Sequence, residues 1–461
     1  MNALKKLFSP VDMTVGKPVT QIITFAIPML LGNVAQQLYN TVDSIIVGRF
    51  VGDNALAAVG SAGPIYNLML ALLIGIATGA SVVVSQYYGA RDKESLSRSI
   101  GACLSVTAIS SIIIMVLGPL VTKPLLRLLH TPESITGWCS GYLVILCLGI
   151  AGTSYYNILS GVLRGLGDSF SALLYLLVAT LLNIVLDYTF VAKFGMGVPG
   201  VALATIIAQF VSAFLCIRKL LKMSDAFTFK AEYLRYDRRF YSQLITLGMP
   251  SGVTQAIFSM AMLIVQSLTN SFGELFIASN VIVMRIDGFV MMPAFSFGSA
   301  MTTFAGQNVG AGKLDRVSEG AKKGTFFAIG VSVFLTLVIL VLGRQIMGIF
   351  TNTKELIDLS YRMMCILAPG YMAMEVTQCL SGIMRGAGDT ITPMWISIIT
   401  SVVLRIPLAY SLVALTKTPD LPTGECSMMF VSLLITWLIG ALLTFLMYCR
   451  GAWRGKAVVA H

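Results

Sequence analysis

Long apolar runs, separated by short polar segments, recur along the whole chain. Each is long enough to cross the ~30 Å hydrocarbon layer of a bilayer, which takes roughly 20 helical residues. The runs are continuous rather than alternating, which disfavours a β-barrel. We therefore predict an all-α polytopic membrane protein with twelve spans, at 19–47, 55–87, 95–119, 135–163, 170–193, 199–221, 240–270, 276–307, 318–343, 357–384, 391–414 and 427–449.

Composition supports the membrane assignment, and the placement of charge orients the chain. Of the 461 residues, 56% are hydrophobic and 11% charged, which excludes an ordinary soluble domain. The net charge of +11 does not indicate nucleic-acid binding, because 22 of the 32 lysines and arginines fall on one predicted side, 8 on the other and two within spans. By the positive-inside rule we expect both termini in the cytoplasm. Separately, we expect the chain to lie in a prokaryotic cell membrane, with lipids as its surroundings.

A ten-residue motif is written twice. SGVLRGLGDS at 160–169 returns as SGIMRGAGDT at 381–390, an offset of 221 residues. Pro28 and Pro250, and QYYGA from Gln86 and QNVGA from Gln307, repeat likewise. Six spans per half make the repeat parallel, so we predict two six-helix bundles related by a pseudo-two-fold axis along the membrane normal. The predicted N-terminal lobe is 1–222, the linker 223–239 and the C-terminal lobe 240–461. A cavity between two such lobes can open alternately to either side.

The repeated motif favours a structural turn. It lacks the GxxxxGK[ST] pattern of a phosphate loop, so ATP binding is unsupported. Its glycines can end a helix, while Asp168 and Asp389 can cap the next one.

Ionisable residues inside spans are costly and need a partner or a task. Asp43 in span one, Asn183 and Asp187 in span five and Thr205 in span six fall at similar depths. Two carboxylates with neutral oxygens suit Na⁺ or a shared proton. The alternative is structural: Asp43 snorkels or caps a helix end, and Asn183 with Asp187 holds helices together.

The second half does not repeat this set. With a one-residue adjustment, Arg405 and Ala409 stand where the first half has Asn183 and Asp187. We predict an intramembrane charge network of Arg405 with the remaining in-span charges, and a proton relay is the other interpretation. Those remaining charges are Arg285, Asp287 and Glu375. We also expect a cavity lined partly by Met260, Met262, Phe289, Met291, Met292 and Phe295.

Taken together, the chain resembles the multidrug and toxic compound extrusion (MATE) family. The resemblance rests on the two six-helix halves, Pro28, QYYGA/QNVGA and the doubled LSGxxRGxGD[ST]. It implies a V-shaped pair of lobes that exports organic cations in exchange for Na⁺ or H⁺. Asp43, Asn183, Asp187 and Thr205 match the N-lobe cation site of the DinF-like branch, in which the bend of span one at Pro28 follows the ion state. Span seven lacks the acid of the NorM-like branch, and the MepA-like branch is nearest.

We accordingly expect a secondary active multidrug antiporter and not an enzyme, with small amphiphilic or cationic substrates. No catalytic residue and no cofactor beyond the coupling ion is expected, and a monomer suffices because one chain holds both lobes. The eight scattered cysteines and two histidines give no metal-ligand spacing, so the possible metal is Na⁺ at the four N-lobe residues. A lipid-linked precursor flippase of the same superfamily, and a channel or membrane scaffold, are the alternatives.

Overall fold

The computed structural model describes residues 10–128, 131–223, 225–419 and 421–459. Twelve helical rods in this part of the chain correspond one to one with the twelve predicted spans. They are α1 (Pro18–Phe50), α2 (Asp53–Gly89), α3 (Lys93–Leu128), α4 (Glu133–Leu148 and Ile150–Gly165), α5 (Ser169–Asp187), α6 (Gly197–Leu221), α7 (Arg238–Asn270), α8 (Glu274–Gly310), α9 (Leu314–Gly348), α10 (Lys354–Gly386), α11 (Ile391–Ile398 and Arg405–Leu415) and α12 (Ser427–Arg450).

Most of these helices are long and apolar enough to be membrane spans. Ten described helices are long and apolar enough to cross a bilayer, and the two segments of α4, bent by 55°, make an eleventh when counted together. The remaining rod, α10, has 33 residues but carries charges at both ends and Glu375 in its interior. The protein is a multi-pass membrane protein, and the helices extend a few residues beyond the apolar runs.

Both copies of the repeated motif form the predicted turn. Gly167 and Gly388 have φ of +88° and +101°, a backbone conformation that favours glycine. Asp168 accepts a hydrogen bond from the Ser171 backbone N–H at 2.9 Å, and Asp389 accepts one from Thr392 at 3.2 Å. Each aspartate therefore caps the helix that follows the turn.

We call the side where α1 begins and both motifs lie the terminal side, and the opposite side the far side. On the terminal side the first helix of each half packs into the other half. Ile22 and Phe25 of α1 join a core with α8, α9 and α10, while Phe240 and Leu244 of α7 join one with α2, α3 and α4. This crossover joins the two halves near the terminal side.

Glycines allow α2 and α7 to touch backbone to backbone. A Cβ at Gly75 would lie 2.5 Å from the Gly252 nitrogen, and one at Gly79 would lie 2.7 Å from the Gly248 nitrogen. No larger side chain fits at these points without separating the helices. The four glycines lie in the terminal half of α2 and α7, so this contact closes the space between the halves there.

The two glutamines of the QxxGA repeat tie the halves together in a pseudo-symmetric way. Gln86 Nε2 donates to the Gly386 carbonyl at 2.8 Å, and Gln307 Nε2 donates to the Gly165 carbonyl at 3.1 Å. Their side-chain oxygens accept from the Val458 and Met13 backbone N–H groups at 2.7 and 2.9 Å. Each glutamine thus connects the other half's motif to a segment near one end of the chain.

A π-helical turn explains the one-residue shift within the repeat. The motif aspartates are 221 residues apart, whereas Asn183 and Arg405 are 222 apart. Between them, α11 contains the π turn Ile399–Leu404, which holds one residue more than an α-helical turn. In the first half the π turn is Tyr188–Lys193, after Asp187. The extra residue therefore precedes Arg405 but follows the acid in α5.

Candidate functional site

Asp43 and Asp187 meet inside the N-terminal bundle. With its amide nitrogen facing the acids, Asn183 donates to Asp43 Oδ1 at 2.9 Å and to Asp187 Oδ2 at 3.0 Å. The two carboxyl groups also lie within hydrogen-bonding reach of each other. The four-residue spacing of Asn183 and Asp187 puts both on one face of α5, as the sequence predicts.

The three side chains are almost sealed from solvent. Asn183 and Asp187 are fully buried, and Asp43 is 8% exposed. Asp187 Oδ1 has no hydrogen-bond partner within the described part of the chain. Among the described residues, no lysine or arginine nitrogen lies within 4 Å of either carboxylate. Two buried acids with a free oxygen and no counter-ion leave a site that a small cation or a proton can neutralise.

Thr205 is held beside this pair through a tyrosine. Tyr39, one helical turn before Asp43 in α1, donates to Thr205 Oγ1 at 3.0 Å. Sequence reasoning missed Tyr39, although its four-residue spacing from Asp43 places it on the same helix face. It also missed Tyr142 of α4, whose hydroxyl lies close enough to interact with both acids. Nothing in the repeat singles out Tyr142, because only the helix packing brings α4 there.

The C-terminal half brings together part of the predicted charge network. Asp287 and Arg405 line one cavity, and Asp287 lies near Tyr371 and within electrostatic range of Arg405. No described ion pair joins any two of the four predicted charges within 4 Å.

Two predicted members lie apart from this pair. Arg285 is exposed, and local pairing with Asp287 does not occur, because residues two apart in a helix point in different directions. Glu375 is 2% exposed, and its Oε2 has no hydrogen-bond partner among the residues that the structure describes. The structure therefore assembles Asp287, Arg405 and Tyr371, and leaves Glu375 as a separate buried acid.

The cavity around Asp287 has a volume of 450 Å³. Of the side chains expected to line it, Met262, Met291 and Phe295 do so. Met292 packs in the interior, while Met260 and Phe289 are exposed elsewhere. Further thioethers come from Met284, Met374 and Met429, so the expected methionine-rich lining forms with a different set of members.

A second cavity, of 290 Å³, lies between the halves, and most of its lining residues are polar. Helices α2 and α4 of the first half and α7, α8, α10 and α11 of the second contribute to its lining. The motif arginines, Arg164 and Arg385, both face it. Sequence reasoning favoured a structural turn for this motif over a substrate role. The available signal was a charged residue repeated four positions after a serine at the end of a membrane span.

Pro28 lies within an unbroken α1. From Pro28 to Asp43 the helix continues for 15 residues, about 22 Å at 1.5 Å per residue. A change of bend at Pro28 would therefore move the terminal part of α1, which packs on the other half, relative to the part that carries Asp43.

Comparison with known proteins gives consistent matches over most of the chain. The MatE family model matches twice, at 28–189 and 250–411. The probable multidrug resistance protein YoeA of Bacillus subtilis is 30% identical over 85% of this chain and 86% of its own. The multidrug export protein MepA of Staphylococcus saprophyticus is 22% identical over 84% and 85%. A solved multidrug resistance MATE family transporter in an outward-facing conformation superposes with a TM-score of 0.88, 23% identity and coverage of 96% and 98%, and so shares the fold.

Proposed function

This chain belongs to the MatE family of membrane transporters, and from that premise we propose that it exports amphiphilic or cationic organic compounds in exchange for Na⁺ or H⁺. Relatives named multidrug resistance and multidrug export proteins support the substrate class. The charge distribution supports a cytoplasmic terminal side. Closure on that side, with α2 packed against α7, then corresponds to an outward-open state of an alternating-access cycle.

The buried acid pair carries the proposal of ion coupling. Asp43 and Asp187 share one amide donor, and no described basic group lies within 4 Å of them. Holding both carboxylates charged in this space costs free energy, which a bound Na⁺ or a proton removes. Asp43 and Asp187 carry the charge of the proposed site, and Asn183 bridges them. The Thr205 hydroxyl, held by its hydrogen bond with Tyr39, is a neutral oxygen ligand beside them.

Coupling follows from where these residues sit. Asp43 is on α1, and the terminal part of α1 packs against the opposite half. Neutralising Asp43 changes how tightly α1 is held against α5, so the ion state can bias the packing of α1 across the interface, with Pro28 as the proposed hinge. The ion shifts the conformational equilibrium only as far as its affinity differs between the two states.

The decisive experiment is dye efflux from proteoliposomes under one imposed gradient at a time, either Na⁺ or pH. We expect wild-type efflux of ethidium under one or both gradients. Asp43→Asn and Asp187→Asn should reduce gradient-driven efflux to the background of empty liposomes, because neither amide can bind a proton or supply a full charge to Na⁺.

Asp53→Asn is the matched control. Asp53 is an exposed acid in the first turn of α2, outside the acid pair. Dye efflux by the Asp53→Asn variant should therefore equal that of the wild type. Melting in detergent verifies that each variant folds. Wild-type efflux in folded Asp43→Asn and Asp187→Asn would exclude this ion site, and gradient-independent conductance in the wild type would favour a channel.

A lipid-linked precursor flippase is the second candidate. Two arginines facing the central cavity favour it, since such a substrate carries phosphate groups. The test is movement of a fluorescent lipid-linked sugar between leaflets, measured by chemical quenching. Movement that needs the protein, together with no dye efflux, would replace the exporter assignment with this one.

A further inference from the structure

The arginines of the repeated motif lack the partners that an arginine buried in a membrane protein normally has. In the part of the chain that the structure describes, no carboxylate lies within 4 Å of Arg164 or Arg385. Arg164 makes one long hydrogen bond, 3.4 Å to Ser160 Oγ, and Arg385 makes none with a described residue. A guanidinium has five N–H donors and stays charged, so both side chains retain most of their binding capacity.

The nearby acids of the motif are committed elsewhere. Asp168 accepts from Ser171 and pairs with Lys219 at 3.1 Å. Asp389 accepts from the backbone and hydroxyl of Thr392 at 3.2 and 2.8 Å. The repeat thus separates the two charges of its RGxGD sequence: the aspartate caps a helix, and the arginine is free to face the cavity.

Most of the residues that line the cavity faced by both arginines carry a hydrogen-bonding side chain, and none of them is an acid. Its walls carry hydroxyls from both halves, among them Ser81, Thr302 and Ser381, and none of its lining residues is Asp or Glu. Two fixed positive charges in a partly enclosed, hydroxyl-lined space attract an oxyanion, which can accept several charge-assisted hydrogen bonds at once.

This cavity adjoins the methionine-rich one, and the two share lining residues. Gln255, Phe295 and Gln378 line both. Together the two cavities have a mainly apolar, polarisable part, in which Asp287 lies within electrostatic range of Arg405, next to a doubly cationic part with no acid among its lining residues. That matches a molecule with an apolar ring system and a negatively charged group, rather than a simple organic cation.

We propose that Arg164 and Arg385 form an oxyanion-binding subsite on the floor of the cavity between the halves, for the carboxylate, sulfonate or phosphate of an amphiphile whose apolar part enters the methionine-rich cavity. This inference rests on the proposed export function and extends its substrates to zwitterionic and anionic amphiphiles. The source of the oxyanion is either a transported compound or a lipid headgroup, and one set of measurements distinguishes them.

The test uses a matched pair of dyes on the full-length purified protein. Rhodamine 110 carries a free carboxylate, and rhodamine 123 is its methyl ester. Fluorescence anisotropy gives the Kd of each. We expect Arg164→Gln and Arg385→Gln each to weaken rhodamine 110 binding about tenfold, the equivalent of one charge-assisted hydrogen bond, and to leave rhodamine 123 binding unchanged.

Two further variants control for charge and for folding. Arg385→Lys keeps the charge but loses the planar fork, so rhodamine 110 binding should fall less than in Arg385→Gln. Arg238→Gln removes an exposed arginine at the start of α7 and should bind both dyes as the wild type does. If an arginine variant fails to fold, Ser381→Ala is used instead. It keeps both arginines and removes one hydroxyl that lines the cavity.

The source of the oxyanion follows from competition in nanodiscs. If phosphatidylglycerol displaces rhodamine 110 from the wild type while a neutral, phosphate-free glycolipid does not, the subsite takes a lipid phosphate. If neither lipid displaces the dye, it takes the substrate's own group. Unchanged rhodamine 110 affinity in the folded glutamine variants, or equal loss of both dyes, would overturn the proposal. Absence of gradient-driven efflux in the wild type would instead count against the export function and leave the binding difference standing.

Discussion

At the scale of single residues, the repeat supplies internal controls. Asp168 and Asp389 occupy equivalent positions and both cap a helix, but only Asp168 has a described lysine partner, Lys219. Asp168 is 1% exposed and Asp389 5%, so burial is nearly the same. A difference in stability loss between substitutions at the two sites therefore measures the ion pair rather than the cap.

We predict that Asp168→Ala is more destabilising than Asp389→Ala. Loss of a cap costs about 1 kcal/mol, and Asp168→Ala also leaves Lys219 without its carboxylate, which raises the expected loss to about 2–3 kcal/mol. Denaturant unfolding in detergent measures both. The double variant with Lys219→Ala should lose less than the sum of the single changes, and equal losses at Asp168 and Asp389 would contradict the role of the pair.

At the scale of helices, closure of the terminal side depends on glycines at crossing points. A Cβ at Gly89 would lie 1.9 Å from the Gln307 carbonyl oxygen, and one at Gly310 would lie 1.9 Å from that of Gln86. The clash is with backbone, which cannot move without separating the halves. The same two glutamines carry the hydrogen bonds between the halves, so the contact and the bonds are lost together.

We predict that Gly89→Ala and Gly310→Ala shift the protein towards a state open on the terminal side. The reporter is Ser85→Cys in a chain whose native cysteines are replaced by serine, because Ser85 is fully buried at this interface. Its labelling by a water-soluble maleimide should accelerate in both alanine variants.

The control for this experiment is Gly330→Ala. Gly330 lies within α9 and has nothing within 4 Å of its added Cβ, so this change should leave labelling slow and slightly favour the helix. Labelling that is equally slow in all three glycine variants would mean that the crossing tolerates a side chain.

At the scale of the whole molecule, the pseudo-two-fold axis defines matched positions on each side. Asp53 and Glu274 begin α2 and α8 at the far side, 221 residues apart, and both are exposed. Glu94 and Asp315 lie in the first turns of α3 and α9 at the terminal side, with the same offset, and are exposed as well. A rocking motion about the closed contact moves the two pairs in opposite senses.

We predict that spin labels at Asp53→Cys with Glu274→Cys move together when the far side closes, while labels at Glu94→Cys with Asp315→Cys move apart. Electron–electron double resonance measures both distances across pH and Na⁺ titrations. In Asp43→Asn the ion-dependent part of the change should disappear. Distances that change in the same sense in both pairs would exclude rocking.

The sequence determined the number and order of the helices and their duplication, because span length and apolar content are local properties of each segment. It also determined the turn of the repeated motif, since positive φ at Gly167 and Gly388 is a local requirement. It brought Asp43, Asn183 and Asp187 to similar depths, and the structure places them in contact.

Only the tertiary structure decided which side chains converge across helices. The direction in which each helix faces depends on long-range packing, such as the contact of Gly75 with Gly252, and one residue of rotation turns a side chain by about 100°. Three placements therefore emerged only from the fold. Tyr142 lies beside the acids, and Arg285 lies apart from Asp287. Arg164 and Arg385 face one cavity.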